Sequence, residues 1–136
     1  MRREGGCSCG AVRYRVQGEP RVVSHCHCDH CRRASGAAFV TWAEFASEQY
    51  RLLQGSPRTH RSKPSVCREF CPACGTQLTY RDERNAEHLD VTVCSLDDPE
   101  TLRPVDHLWC ERMLGWVTAA DALPRHPFRR GSRESE

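Results

Sequence analysis

Ten cysteines in a chain of 136 residues constrain this protein more than any other feature. Seven fall into three short blocks: "CSC" at Cys7 and Cys9, "CHCDHC" at Cys26, Cys28 and Cys31, and "CPAC" at Cys71 and Cys74. A chain of this length folds as one domain with a modest core, and with 38% apolar residues that core is thin. Small, thin-cored domains draw extra stability from metals or disulfides. The polar start "MRREGG" has no apolar run behind it, so no signal peptide is expected. No apolar stretch approaches the roughly 18 residues of a membrane span. The expectation is a cytoplasmic protein with no membrane partner, in which thiols stay reduced and dense cysteines are metal ligands before they are disulfides. The formal net charge is +2, too near neutral to support a nucleic-acid partner.

Spacing sorts the ligands. In an extended segment, residues two apart share a face, so Cys7 and Cys9 reach one ion together, and so do Cys26 and Cys28. Cys71 and Cys74 meet through a tight turn, and Gly75 after them suits the backbone such turns require. Structural zinc takes four ligands. "CPACG" needs a second pair and "CSC" has no third ligand nearby, so these four fit together as a closed site. "CHCDHC" then supplies three sulfurs, with His25 and His27 on the opposite side of the segment. Three thiolates leave a zinc with an open position, the mark of a catalytic or ligand-exchanging site. Sulfur ligands select zinc or an iron–sulfur cluster over magnesium or calcium, and the compact spacings suit two separate zinc ions. The alternative is that His25, His27, His30 or the distant Cys67 closes the second site, making both ions structural.

The rest of the chain reads as mainly β with short helical turns. Apolar and polar residues alternate, or β-branched and aromatic residues cluster, over 11–18, 38–45, 50–54, 59–62, 66–70, 77–80 and 88–96. "RDERNAE" reads as an exposed hairpin connection and "SLDDPETLRP" as a turn-rich loop. Short helical pieces are expected at 32–38 and 119–123. A single domain spans 1–128, and the polar tail 129–136 is expected to be disordered.

"GGCSCGAVRY", "CHCDHCRRASGAAF" and "FCPACGTQL" resemble, in the same order, three signature blocks of the glutathione-dependent formaldehyde-activating (GFA) family. "PVDHLWCERMLGWV" and "LPRHPF" are similar to that family's looser C-terminal part. The resemblance implies a β-tent fold with two zinc sites: Cys7, Cys9, Cys71 and Cys74 as structural ligands, Cys26, Cys28 and Cys31 as the catalytic set. It implies a carbon–sulfur lyase of the S-(hydroxymethyl)glutathione synthase kind, joining formaldehyde to glutathione. Centromere protein V shares the domain, so a zinc-stabilised binding module without catalysis is the alternative.

Candidate helpers follow from position. Arg32 and Arg33, directly after Cys31, are candidates for offsetting the negative charge of the site or meeting a glutathione carboxylate. N–H groups of the turn 34–36 are candidates for stabilising sulfur charge, His107 for a proton carrier, and His27 and His30 for hydrogen bonds near the zinc. Trp42, Trp109 and Trp116 are expected in the core. Cys67, Cys94 and Cys110 belong to no block and are expected as buried small hydrophobes. A third possibility, a methionine sulfoxide reductase, would need Cys94 or Cys110 as a separate reactive thiol.

Overall fold

The computed structural model describes residues 1–132. Among the described residues, ten strands form two sheets. The smaller contains β1 (Arg2–Gly6), β2 (Arg13–Gln17) and β5 (Tyr50–Gln54), all antiparallel, in the order β1-β2-β5. The larger contains β3 (Val22–Cys26), β4 (Val40–Ala46), β6 (Arg58–Lys63), β7 (Val66–Phe70), β8 (Gln77–Asp82), β9 (His88–Thr92) and β10 (Asp106–Leu108), in the order β10-β3-β4-β9-β8-β7-β6. Every neighbouring pair is antiparallel except β10 with β3. Among the described residues one α-helix, α1 (Asp29–Ser35), is present, and it joins β3 to β4. No described helix is long and apolar enough to cross a membrane.

Alternation along the strands explains the architecture. In β2, Tyr14 and Val16 are buried, while Arg13 and Arg15 point outward and pair with Asp97 and Glu4. Tyr14 and Val16 meet Val23, Ala43, Phe45, Leu78, Leu89 and Val91 of the larger sheet in one core cluster. Each such side chain contributes roughly 1.5–3 kcal/mol of burial. Gly5 lets the sheets close: a Cβ there would stand 2.6 Å from the Ser95 carbonyl oxygen and 2.7 Å from the Tyr14 hydroxyl. Period-2 geometry turns the opposite face of the larger sheet away from this core, and it carries Ser24, Cys26, Trp42, Glu44, Arg68, Tyr80 and Asp90 along the wall of a cavity.

The free edge of β10 is covered by a C-terminal strap. The His107 N–H donates to Pro124 O (2.9 Å), the His126 N–H to His107 O (2.9 Å) and the Trp109 N–H to Phe128 O (3.0 Å). Arg130 then donates to Asp106 (2.9 Å) and to the Ser24 hydroxyl (2.6 Å). Of the tail expected at 129–136, residues 129–132 are described and Arg130 is anchored in this way; residues 133–136 lie outside the described residues.

Several elements differ from the sequence reading. The helix starts at Asp29, three residues earlier than expected, because Cys28 caps it through its sulfur. The helical piece expected at 119–123 is irregular; Asp121 there accepts from the Leu123 N–H and the His107 ring, competing with helical pairing. The strand expected over 88–96 ends at Thr92 and tightens into a 3₁₀ turn over Val93–Ser95.

Core and surface substitutions should separate clearly in equilibrium urea unfolding. Phe45→Ala, at a site with no exposure, should cost about 3–5 kcal/mol. Trp116→Ala, at a site 74% exposed, should change stability by no more than about 0.5 kcal/mol.

Candidate metal centres and active site

Two groups of cysteine sulfurs converge, each with all its sulfurs within 4.8 Å of one another: Cys7, Cys9, Cys71 and Cys74, and Cys26, Cys28 and Cys31. The first is assembled from the turn between β1 and β2 and the turn between β7 and β8. Cys7 and Cys9 Sγ are 3.6 Å apart, and Cys9 and Cys71 Sγ 3.8 Å. A tetrahedral ion with metal–sulfur bonds near 2.3 Å separates its ligands by about 3.8 Å, so the spacing fits a closed four-sulfur site. The local backbone is shaped for it: Gly75 donates to Cys71 O (2.8 Å), Cys71 donates to Thr76 O (3.0 Å), and Gly75 takes a positive φ of 81°. The Ser8 N–H donates to the Thr76 hydroxyl at 3.0 Å, tying the two turns together. The Thr76 hydroxyl and N–H hold the Cys74 thiol well below its ordinary value, at about 5.

The second group lies on the wall of a cavity of about 490 Å³. Cys26 ends β3, Cys28 caps α1 and Cys31 lies in its first turn. Among the described residues no fourth histidine, cysteine or carboxylate ligand atom joins these three sulfurs. Cys28 is the sulfur most readily ionised, because hydrogen bonds from Cys26 and Cys31 favour its thiolate and the Cys31 N–H donates to it at 3.3 Å. The thiol of Cys26 is raised in return. Two further donors meet Cys31 Sγ: Trp42 Nε1 at 3.4 Å and the Arg68 guanidinium at 3.7 Å. Arg68 is buried, stacks over Tyr80 at 5.0 Å and bonds Gln77 Oε1.

His25, His27 and His107 face away from the cavity. Nε2 of buried His27 is 2.9 Å from His107 Nδ1, and His107 Nε2 lies 3.1 Å from both oxygens of Asp121. Asp121 can only accept, so His107 carries its proton on Nε2 and takes one from His27 at Nδ1. Burial, then His107, lowers His27 to about 4, so it is neutral. His25 bonds the Thr41 hydroxyl at 2.8 Å. His107, expected as a proton carrier, is thus buried behind β3 and is not among the cavity-lining residues.

Other candidates are displaced too. Arg32 pairs with Asp29 at 3.3 Å and Arg33 is exposed; neither lines the cavity. Arg68, which the sequence reading missed, takes the place expected for them. Its only signal was an arginine inside the apolar-bounded strand segment Val66–Phe70. In the three-sulfur group the Cys31 N–H meets sulfur; in the turn 34–36, the Gly36 N–H instead closes the helix on Arg32 O. His30 lines the cavity. Trp42 is buried but faces the sulfurs, Trp109 is a partly buried cavity wall, and Trp116 is exposed. Trp109 holds a left-handed backbone (φ 57°, ψ 41°), at a cost of about 1–2 kcal/mol. Cys67 is buried, Cys110 is partly buried and Cys94 is exposed, against the expectation for the last; all three stand outside the two sulfur groups and the cavity lining.

Residues 2–112 match the sequence profile of the family described as glutathione-dependent formaldehyde-activating enzyme. This chain belongs to that family. A curated relative from Halomonas elongata, named "Putative glutathione-dependent formaldehyde-activating enzyme", is 28% identical over 124 residues, covering 84% of this chain and 78% of its own. The crystal structure of a Rhodobacter sphaeroides protein shares the fold, with a TM-score of 0.58 at 22% identity, over 90% of this chain and 98% of that one.

The two sulfur groups should be separable by metal loading. Cobalt(II), a spectroscopic stand-in for zinc, should bind at two equivalents with thiolate charge-transfer absorption. Cys28→Ser should lose one equivalent and keep its thermal midpoint near that of the parent. Cys74→Ser should lose the other and unfold at markedly lower temperature, since a structural ion contributes folding energy directly.

Proposed function

We propose that this chain is a zinc-dependent carbon–sulfur lyase that forms or cleaves an S-hydroxymethylglutathione-like adduct of a thiol and an aldehyde. The observation that carries this reading is the contrast between the two sulfur groups. One has four sulfurs and lies outside the cavity; the other has three and lies on its wall. In this reading Cys7, Cys9, Cys71 and Cys74 hold a structural zinc, and Cys26, Cys28 and Cys31 hold a second. Bound at the second group, zinc would supply a lowered pKa for a thiol that joins the three sulfurs.

The protein's own residues do the rest. Three thiolates holding a divalent cation would carry a net negative charge, and a substrate thiolate beside them would add to it. Arg68 and the Trp42 N–H, both aimed at Cys31 Sγ, draw electron density from that sulfur and offset the charge. Tyr80, Trp42 and Trp109 give the cavity apolar walls beside the sulfurs, limiting water and holding the aldehyde carbon near the thiol. Such placement is worth more than activation alone when the reaction joins two molecules. Lys63 and Arg112, exposed cations on the cavity lining, are placed to meet the carboxylates of a peptide thiol. His107 has no part in the chemistry; it fixes His27 between Cys26 and Cys28 and so orients the loop. The domain extends over 1–128, and a cytoplasmic setting would keep all ten cysteines as free thiols.

The reading is tested with glutathione and formaldehyde. Glutathione should shift the visible spectrum of the cobalt-loaded parent protein and not that of Cys28→Ser, and the parent should accelerate adduct formation. Trp42→Phe should keep its metal but lose a hydrogen bond to a charged sulfur worth about 1.5–3 kcal/mol, lowering kcat/KM about tenfold to a hundredfold. If glutathione leaves the cobalt spectrum unchanged and the parent gives no acceleration, the two zincs serve only the fold.

A further inference from the structure

On the cavity face of the larger sheet, one row of side chains crosses five strands in register. Val22 stands opposite Glu44, Glu44 opposite Asp90, Asp90 opposite Tyr80 and Tyr80 opposite Arg68. All five line the cavity. The row leads to the three-sulfur group, because Arg68 lies over the Tyr80 ring and reaches Cys31 Sγ. Its unusual member is Asp90. Like charges directly across strands are unfavourable, yet Asp90 faces Glu44, which has a cation of its own in Arg21 at 3.2 Å. Among the described residues, none pairs with Asp90 as an ion pair.

We propose that Asp90 is the proton carrier of the thiol–aldehyde reaction, taking the proton that the thiol gives up and delivering it to the aldehyde oxygen. The proposal rests on the lyase reading above. A sulfur lone pair makes the new carbon–sulfur bond, the carbonyl π pair moves to oxygen, and the proton lost by sulfur ends on that oxygen. Asp90 begins and ends as a carboxylate, so no further reactant is needed. In the cleavage direction it takes the hydroxyl proton and returns it to the departing sulfur.

The other groups facing this part of the cavity are less suited to the task. Burial pushes the Tyr80 hydroxyl up to about 12, so it keeps its proton. Arg84 holds Asp82 down at about 2. Asp29 is engaged by Arg32 and Arg112, Glu44 by Arg21, and His88 lies 3.9 Å from Glu44. Lys63, Arg84, Arg112, Arg129 and Arg130 add further cations to the lining. Burial first, and Glu44 second, raise Asp90 to about 7 against the opposing pull of Arg21 and Arg68. A carrier poised near the working pH can both accept and release a proton.

The test is Asp90→Asn in the zinc-loaded full chain, assayed with glutathione and formaldehyde from pH 5 to 9, with Asp90→Glu in parallel. Adduct formation by the parent should rise through about pH 7 as the carboxylate forms. Asp90→Asn should lower kcat/KM about 10²–10⁴-fold and lose that step, and Asp90→Glu should recover part of both. Stability gives a readout independent of activity. Native Asp90 holds a proton that the unfolded chain releases near pH 4, so the parent should lose stability as pH rises from about 4 through about 7. Asp90→Asn should lack that loss, so its thermal midpoint should gain on the parent's over this range. An active parent with an unchanged pH profile in Asp90→Asn, or a midpoint difference flat with pH, overturns the role of Asp90 and leaves the lyase reading standing. A parent inactive at every pH removes the lyase reading, and the role of Asp90 with it.

Discussion

Thiolates brought within a few ångströms of one another repel strongly, and this fold brings two groups of cysteine sulfurs that close. At an effective dielectric near 20, two unit charges about 4 Å apart interact by about 4 kcal/mol; a shared cation turns that repulsion into cohesion. The two groups differ in what such cohesion would join. Cys9 and Cys71 are 62 residues apart in the chain, and their group ties a turn of the smaller sheet to a turn of the larger. Cys26, Cys28 and Cys31 come from one strand end and the helix that follows it. An ion in the first group closes a long loop and braces two sheets, whereas one in the second closes almost none. That difference frees the second group from a bracing duty.

The larger sheet keeps its two duties apart by strand parity. Phe45 and Ala43 turn to the core while Glu44 and Trp42 turn to the cavity. In the segment 25–28 the same rule sends the sulfurs of Cys26 and Cys28 to the cavity and the rings of His25 and His27 behind. The rings are not idle there. His27, His107 and Asp121 form a chain of hydrogen bonds from the loop between two cysteines to the C-terminal strap. A one-residue slip of β3 would exchange sulfur for imidazole on the cavity wall, and Arg130, bonded to Ser24 and Asp106, pins β3 and β10 against it.

Cysteine spacing was legible in the sequence because ligands two or three residues apart can converge through local backbone geometry alone. The split into four and three sulfurs was readable on that basis, and the mainly β class and the strands at Tyr50–Gln54 and Val66–Phe70 were readable from alternation and β-branched or aromatic content. The partners of Cys31 were not. Trp42 and Arg68 reach it from strands 11 and 37 residues away in the chain, and no local pattern marks either. Nearness in sequence misled for Arg32 and Arg33, since the helix that carries Cys31 inward carries them toward solvent. Strands β1, β3 and β10 escaped notice for a related reason. β1 is Arg-Arg-Glu-Gly-Gly, and β10, three residues long, carries buried Asp106 and His107; each is extended because of its neighbours, not its own composition.

The strap also bears on how the protein is made. Chains are synthesised from the N-terminus and fold largely in that order, so both cysteine groups exist well before Pro124–Arg130 leaves the ribosome. Until then β10 and β3 form a bare sheet margin beside three reactive thiols, a template for pairing with another nascent chain. Rapid capture of metal and quick docking of the last residues would therefore protect the newborn polypeptide from sticking to its copies.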